Sequence, residues 1–172
     1  MTIRIVAERP EDAAAIESVV DNAFGQDRQK RTVYRLRDGI EPVTSLSLVA
    51  VTAARDVVGS LRFWPVLLPK DGGNVPALLL GPIAVRLDYR GAGVGGRLMR
   101  RGLDLAKVQK HRIVLLVGDA PYYGRFGFKH DLVVDLTLPG PVDLDRFLGL
   151  ELEDGALAGI KGLVQRSDTS KK

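Results

Sequence analysis

The chain contains no cysteine and only two histidines in its 172 residues. Without thiols there is no disulfide, no thiolate metal ligand and no cysteine nucleophile. His111 and His130 alone are too few for a zinc site, so we expect no metal. A chain without cysteine is also typical of the reducing cytoplasm, which is where we expect this protein to act.

Long apolar runs are missing as well. No run approaches the ~20 residues of a membrane span, and Met1-Thr2-Ile3-Arg4 does not begin a signal peptide, so no membrane partner is expected. Aromatic residues make up only 6% of the chain, and no nucleic-acid-binding module is recognisable, which argues against nucleic acid as a partner. The net charge of +4 suits either a solvated surface or a small anionic partner.

Length and composition predict one globular domain. Hydrophobic residues make up 45% of the chain and charged residues 27%, which is ordinary for a globular protein. A chain of this length buries about 70% of its extended surface. We expect a single domain over residues 1–166 and a polar tail over residues 167–172.

One stretch combines a buried strand with a glycine-rich turn. An apolar run at 78–85 is followed by the charged segment 86–90, the glycines of 91–96 and an amphipathic helical pattern. Glycine lets the backbone turn sharply and lets a ligand approach closely. The first N–H groups of the helix have no intrahelical partner and favour phosphate, and Arg90 and Arg97 flank them. The sequence therefore predicts a pyrophosphate site at the end of a buried strand.

The glycine turn fits more than one nucleotide-binding pattern. Gly91-Ala92-Gly93-Val94-Gly95-Gly96 matches G-x-G-x-x-G, and Asp119 lies roughly where a ribose-binding acid would follow. That pattern needs its first glycine directly after the strand, whereas residues 86–90 intervene here. A dinucleotide-binding oxidoreductase stays an alternative, but the phosphate-loop ATPase pattern fails because no Gly-Lys-Ser/Thr closes the turn.

Two motifs in order resemble the GNAT superfamily of N-acetyltransferases. Arg90-Gly91-Ala92-Gly93-Val94-Gly95 is similar to the R/Q-x-x-G-x-G/A signature of that family, and a strand interrupted by Gly81-Pro82 precedes it. A helix, a strand at 112–117 and the run Tyr122-Tyr123-Gly124-Arg125-Phe126-Gly127-Phe128 follow in the family's order. The resemblance covers a core of residues 1–134, and residues 135–166 are similar to the strand-containing extension of some bacterial members.

The resemblance implies an α/β fold, the GNAT-like acyl-CoA N-acyltransferase fold. Its sheet is mixed and mostly antiparallel, with central parallel strands that splay apart. Acetyl-CoA would be the co-substrate, its pantetheine arm pairing with the opened strand as an added strand. The residues that the resemblance assigns to acetyl-CoA are Ile83, Ala84, Val85, Arg90, Gly91, Ala92, Gly93, Val94, Gly95 and Gly96. Gly81 beside Pro82 favours a bulge in this strand, and a purely structural kink is the alternative.

The chemistry of acetyl transfer needs an acid and a base. Tyr123 aligns with the family tyrosine that protonates the departing thiolate, although a packing role is the alternative, and Tyr122 is expected to face elsewhere and pack. Many members carry a glutamate on the strand before the glycine turn, but residues 78–85 contain no carboxylate. Asp119 is the nearest candidate base, and it also suits the N-cap of a short helix. Glu41 is a weaker candidate.

These features predict transfer of an acetyl group to a primary amine by direct attack, because no cysteine is present to form an acyl-enzyme. The acceptor is a small molecule or a peptide, and a homodimer is compatible with the sequence. A non-catalytic module that binds and senses acyl-CoA remains an alternative from another class, because the strand glutamate is absent.

Local patterns predict the remaining elements. They predict a strand at 2–7, helices at 10–24 and 26–38, a hairpin of 45–54 with 57–68 that has an edge or bulge at 64–65, a strand at 128–134, a helical turn at 143–149 and a final strand at 155–166. The second helix is rich in arginine, which is typical of a solvated face. In the family this region commonly walls the acceptor pocket, so its arginines would favour an acidic acceptor.

Overall fold

The computed structural model describes residues 2–25 and 31–167. Its strands are β1 (Arg4–Ala7), β2 (Leu48–Val51), β3 (Val57–Lys70), β4 (Gly73–Val85), β5 (Ile113–Val117), β6 (Leu136–Thr137), β7 (Phe147–Glu151), β8 (Gly162–Leu163) and β9 (Gln165–Arg166). Its helices are α1 (Ala13–Phe24), α2 (Val33–Arg37), α3 (Val94–Val108) and α4 (Ala120–Gly124). No helix within the described ranges is long and apolar enough to cross a membrane.

The main sheet is mixed and mostly antiparallel, as expected. Its order is β1-β2-β3-β4-β5-β7, with β9 paired to β3 beyond the end of β2. Within it, β4 and β5 are the parallel pair, and the other pairs are antiparallel. Since β7 pairs with β5 over its whole length, the segment after residue 134 extends the same sheet.

The parallel strands separate at an irregularity in β4. Pairing between β4 and β5 covers only Leu78 with Val114 and Leu79 with Leu115. Just beyond it, the register with β3 shifts so that β4 holds an extra residue at Gly81-Pro82, a pair joined by a cis peptide bond. A bulge bends its strand, and proline cannot donate to the ladder. The predicted bulge and the splay of the central strands are both confirmed.

Helices cover both faces of the sheet. Leu48 and Ala50 of β2 pack in the cluster beneath α3, whereas Val49 and Val51 pack in the cluster beneath α1. Alternate side chains of a strand point to opposite faces, so α3 and α1 lie on opposite sides. A strand covered on both faces must be apolar throughout, which explains the continuous apolar run of β2.

Several predicted elements are wrong, and pairing with distant strands is the reason. The expected strand at 128–134 is a bridge of Lys129 with Gly149 followed by the 3₁₀ turn His130–Val133. The expected helical turn at 143–149 is instead a shorter 3₁₀ turn, Leu144–Arg146, followed by β7. An unpaired edge of β5 would expose its main-chain polar groups. Residues 147–151 pair with that edge as β7 and do not continue the local helical turn.

Other boundaries also shift. The expected helix at 26–38 is helical over Val33–Arg37, and its first residues lie outside the described part of the chain. The first hairpin strand begins only at Leu48 after a 3₁₀ turn, and the expected strand at 155–166 is a turn followed by β8 and β9. Ser167 is buried rather than part of a tail, and residues 168–172 lie outside the described residues.

Of the edge or bulge expected at Trp64-Pro65, the edge is confirmed and the bulge is absent, because Pro65 lies between the end of β2 and the start of β9 along β3. Lys70 and Gly73 close a two-residue turn, so hydrogen-bonded pairs alternate from there along β3 and β4. Pro65 pairs with Leu78 at a position that is not hydrogen-bonded. Its missing N–H therefore faces away from β4, beyond the end of β2, and costs no ladder bond. The irregularity lies farther along, between Leu61 and Phe63.

Candidate functional site

The glycine turn ahead of α3 has the geometry of an anion site. Gly91 and Gly93 have φ values of +86° and +79°, and a Cβ at either position would meet nothing within 4 Å. The first donor of the helix ladder is the Arg97 N–H, which bonds the Gly93 carbonyl at 3.1 Å. The N–H groups of residues 91–96 donate to no described residue, so they remain available to a ligand. Unfilled space and bare donors fit a diphosphate.

Arginines surround this turn, but the set differs from the predicted one. Arg90 lines it and donates through Nε to the Val85 carbonyl at 3.3 Å. Arg100 and Arg125 also line it, whereas Arg97 does not. A Cβ on Gly96 would lie 3.1 Å from Arg100 Nη1, so this glycine makes room for the guanidinium one helical turn later. Residues four apart on a helix are neighbours, so the spacing of Gly96 and Arg100 could have indicated that Arg100 lies beside the glycine turn.

The main chain of β4 offers donors and acceptors at alternate residues. The Arg86 N–H bonds the Val58 carbonyl at 2.8 Å, and the register continues to Ala84 opposite Ser60. Because antiparallel bonds alternate, Ala84 uses its polar groups toward β3. Ile83 and Val85 direct theirs to the other side, where β5 no longer pairs. The three residues were treated alike in the sequence analysis, but the structure distinguishes them: Ala84 is used within the sheet, Ile83 is open, and Val85 keeps its N–H open while its carbonyl accepts from Arg90.

Two cavities meet at the splay. The first, here called the glycine groove, has a volume of about 600 Å³ and is lined by Ile83–Val85, the glycine turn and the side chains of Arg90, Arg100 and Arg125. The second, here called the arginine cavity, has a volume of about 340 Å³ and is lined by the bulge of β4, the end of β5 and Arg31, Arg37 and Arg146. Phe24, Ile83, Tyr122 and Tyr123 line both. Ala92 lines neither.

Tyr123 lies where the two cavities meet, and the pKa of its hydroxyl is raised. Burial raises the pKa of Tyr123 to about 12, the charges of Tyr122 and Asp119 act in the same direction, and Arg146 acts against them. Its ring packs edge-on to Phe128 with centroids 6.3 Å apart. Tyr123 is thus neutral at physiological pH and able to donate a proton.

Tyr122 does not face elsewhere, contrary to expectation. Its ring lies 4.9 Å from that of Tyr123, and both rings line the two cavities. A Cβ on Gly95 would lie 3.1 Å from the Tyr122 hydroxyl oxygen. The hydroxyl therefore sits over the first turn of α3, and the glycine there keeps the space open.

Of the two candidate bases, only Asp119 reaches the site. Its carboxylate accepts the Tyr122 N–H at 3.3 Å, which confirms the predicted N-cap of α4. Asp119 also lines the arginine cavity, and it is the one acid among the described residues that do so. Glu41 is exposed and lines neither cavity.

Aromatic rings hold the arginines of the arginine cavity. Arg31 lies over Phe24 at 5.3 Å, and the buried Arg37 lies over the rings of Tyr34 and Trp64 at 4.7 and 5.6 Å. Trp64 lines neither cavity and donates its Nε1–H to the Gly81 carbonyl at 2.5 Å. It therefore packs against the bulge, as expected of a structural residue.

The dinucleotide interpretation of the glycine turn is wrong. The 3₁₀ turn Leu87–Tyr89 separates β4 from Gly91. Within the described residues of the main sheet, β4 and β5 form a lone parallel pair. The dinucleotide fingerprint requires a glycine directly after the strand and repeated parallel units, and neither is present. No group of three or more His, Cys, Asp or Glu residues in the described part of the chain could hold a metal.

Known proteins share this arrangement. A model of the acetyltransferase (GNAT) domain matches residues 4–130. The Escherichia coli K12 protein YhbS, named an uncharacterised N-acetyltransferase, is 33% identical over 165 residues, which is 96% of this chain and 95% of YhbS.

Solved structures agree with the sequence match. The crystal structure of E. coli YhbS in complex with CoA has a TM-score of 0.80 and 31% identity, covering 99% of this chain and 92% of YhbS. A GNAT family acetyltransferase from Brucella melitensis in complex with acetyl-CoA has a TM-score of 0.63 and 32% identity, covering 87% of this chain and 88% of its own. The chain belongs to the GNAT family of N-acetyltransferases.

Proposed function

We propose that the protein transfers an acetyl group from acetyl-CoA to a primary amine by direct attack. The observation that carries this proposal is the junction of the two cavities at Ile83, Tyr122 and Tyr123. A cofactor in the glycine groove and an amine in the arginine cavity would meet there. The related structures with CoA and acetyl-CoA support the identity of the cofactor.

The glycine groove suits the two chemical parts of that cofactor. The bare N–H groups of residues 91–96 and the side chains of Arg90, Arg100 and Arg125 suit the diphosphate. The open main-chain groups of Ile83 and the open N–H of Val85 suit the pantetheine amides, as an added strand. Acetyl-CoA supplies an acetyl group activated as a thioester.

Two groups of this chain would act on the thioester. The Ile83 N–H would stabilise negative charge on the carbonyl oxygen of the thioester. The Tyr123 hydroxyl donates its proton to the departing sulfur. The amine attacks directly, since the chain holds no cysteine to take the acetyl group first.

Asp119 is our candidate for the base. A lysine-like amine has a pKa near ~10.4 and is almost wholly protonated at pH 7, so a proton must leave before the amine attacks. One oxygen of Asp119 caps α4, and the carboxylate lines the arginine cavity near Tyr123. The proton from the amine would pass to this carboxylate directly or through water.

Steady-state release of CoA with a panel of primary amines tests the proposal. Tyr123→Phe is expected to lower kcat by about 100-fold with acetyl-CoA affinity unchanged by calorimetry, and Asp119→Asn should slow the reaction mainly at low pH. Since the pKa of Tyr123 is about 12, the wild-type rate should not fall as pH rises to 10.

Two results would contradict the proposal. Tight binding of acetyl-CoA with no turnover of any amine would identify a binding and sensing module. Unchanged kcat in Tyr123→Phe would reduce that tyrosine to a packing residue.

A further inference from the structure

The arginine cavity carries an excess of positive charge. Among its described lining residues are Arg31, Arg37 and Arg146, against the single carboxylate of Asp119. A cavity that must admit an amine gains nothing from cations for that purpose, because like charges repel an ammonium group. The excess positive charge therefore indicates that the acceptor carries a second group besides its amine.

These arginines are not the ones that serve the cofactor. The guanidinium groups of the glycine groove come from Arg90, Arg100 and Arg125, and none of them lines the arginine cavity. In the other direction, Arg31 and Arg146 do not line the glycine groove. The charge on the acceptor side is thus a separate set, placed on the far side of the two tyrosines.

Within residues 2–25 and 31–167, the side-chain donors of Arg31 and Arg146 have no partner. Both are exposed, and neither forms an ion pair or a side-chain hydrogen bond with any residue in the described ranges. Phe24 supports the guanidinium of Arg31 at 5.3 Å. Arg146 is the last residue of the 3₁₀ turn that precedes β7, and its carbonyl accepts the Gly118 N–H at 2.8 Å. That bond fixes its backbone beside Asp119 at the cavity wall.

We infer that the acceptor is a small primary amine that also carries an oxyanion, a carboxylate or a phosphate, held by Arg31 and Arg146. This inference rests on the proposed function. Guanidinium binds carboxylate and phosphate through paired, charge-assisted hydrogen bonds. The volume of about 340 Å³ suits an acceptor of amino-acid size. With the oxyanion at the arginines, the amine of such a molecule extends toward Tyr123 and Ile83.

Matched amines that differ only in charge test the inference. The pairs are amino acids against their amides, and aminoalkyl phosphates against the corresponding amino alcohols. Each is measured in two ways, by CoA release with acetyl-CoA and by ligand-observed NMR binding to the wild-type protein. We expect the anionic member of at least one pair to be preferred by about tenfold or more in both readouts. The carboxylate and phosphate arms identify which oxyanion is bound.

Arginine variants connect the preference to the cavity. Arg146→Gln and Arg31→Gln should each reduce the preference by about tenfold, with affinity for acetyl-CoA unchanged, and Arg146→Lys should restore part of it. Arg101→Gln is the matched control, because Arg101 is exposed on α3 and lines neither cavity. It should behave as the wild type.

The two proposals fail in different ways. Neutral amines that bind and react as well as their anionic partners would overturn the inference and leave acetyl transfer standing. Preferential binding of anionic amines without turnover would support the inference and overturn acetyl transfer. If both glutamine variants keep the preference for anionic amines, the inference would also be overturned, because other residues would then bind the anionic group.

Discussion

Replacing Gly93 by aspartate places a carboxylate where the glycine groove is expected to hold a diphosphate. Gly93 has a φ of +79° at the N-cap of α3, and its Cβ position is open for 4 Å in all directions. The new side chain therefore fits sterically, and two separate costs follow from it. One is backbone strain in the folded protein, and the other is charge repulsion in the complex.

The two costs have different magnitudes. A side chain in the left-handed region costs about 1–2 kcal/mol of folding free energy. Repulsion between two unit charges 4 Å apart ranges from about 1 kcal/mol in water to about 4 kcal/mol near a protein surface. Because Gly93 is exposed, the middle of that range applies, and acetyl-CoA should bind roughly 10- to 100-fold more weakly.

Gly159→Asp is the matched control. Gly159 has a φ of +77°, also has open space around its Cβ position and lines neither the glycine groove nor the arginine cavity. Both variants should lose similar stability in urea unfolding, but only Gly93→Asp should lose affinity in calorimetry with acetyl-CoA. Added salt should recover part of the lost affinity. Equal affinities of the two variants for acetyl-CoA would refute the reasoning. So would a loss of affinity in Gly93→Asp that added salt does not change.

Two further predictions concern stability. Asp12 accepts hydrogen bonds from Arg55 and from the Arg9 N–H, both at 2.8 Å, and together these interactions outweigh burial and lower the pKa of Asp12. Asp12→Asn should therefore lower the free energy of unfolding by about 2 kcal/mol at pH 7. In urea unfolding, this difference should vanish as the pH falls below about 4, and a difference that does not change with pH would contradict the ion pair. Gly102→Ala would place its Cβ 2.7 Å from a core leucine and should cost about 1–3 kcal/mol by overpacking, while Gly124→Ala, with open space, should leave the melting temperature unchanged or raise it.

The parts of the site that depend on local backbone could be predicted. Gly91 and Gly93 need positive φ, and the donors between them and α3 are orphaned by helix geometry alone. The bulge at Gly81-Pro82 could likewise be predicted, because a glycine beside a proline in a buried strand favours a bulge. These features require no knowledge of what packs against them.

The arginine-rich region 26–38 was expected to wall the acceptor pocket, and its Arg31 and Arg37 line the arginine cavity, whereas the position of Arg146 depended on distant pairing and could not be predicted. Arg146 reaches the cavity because β7 pairs with β5, with Phe147 opposite Val117 and the Arg146 carbonyl on the Gly118 N–H. The local pattern predicted a helical turn that continues to residue 149, whereas the turn ends at Arg146 and β7 begins at Phe147. Arg125 and Tyr122 were missed for a similar reason, since a five-residue helix gives no periodicity from which to assign faces.

One irregularity in β4 shapes both cavities. The extra residue at Gly81-Pro82 ends the pairing with β5, and that opening exposes the polar groups of Ile83 to the glycine groove. Gly81 has a φ of +134°, and a Cβ at this position would lie 2.8 Å from Nη2 of Arg37. Gly81 therefore also sets how closely Arg37 approaches the strand. Trp64 holds the Gly81 carbonyl from the other side. The glycine groove and the arginine cavity therefore share one backbone feature, and a change in the bulge must alter both cavities together.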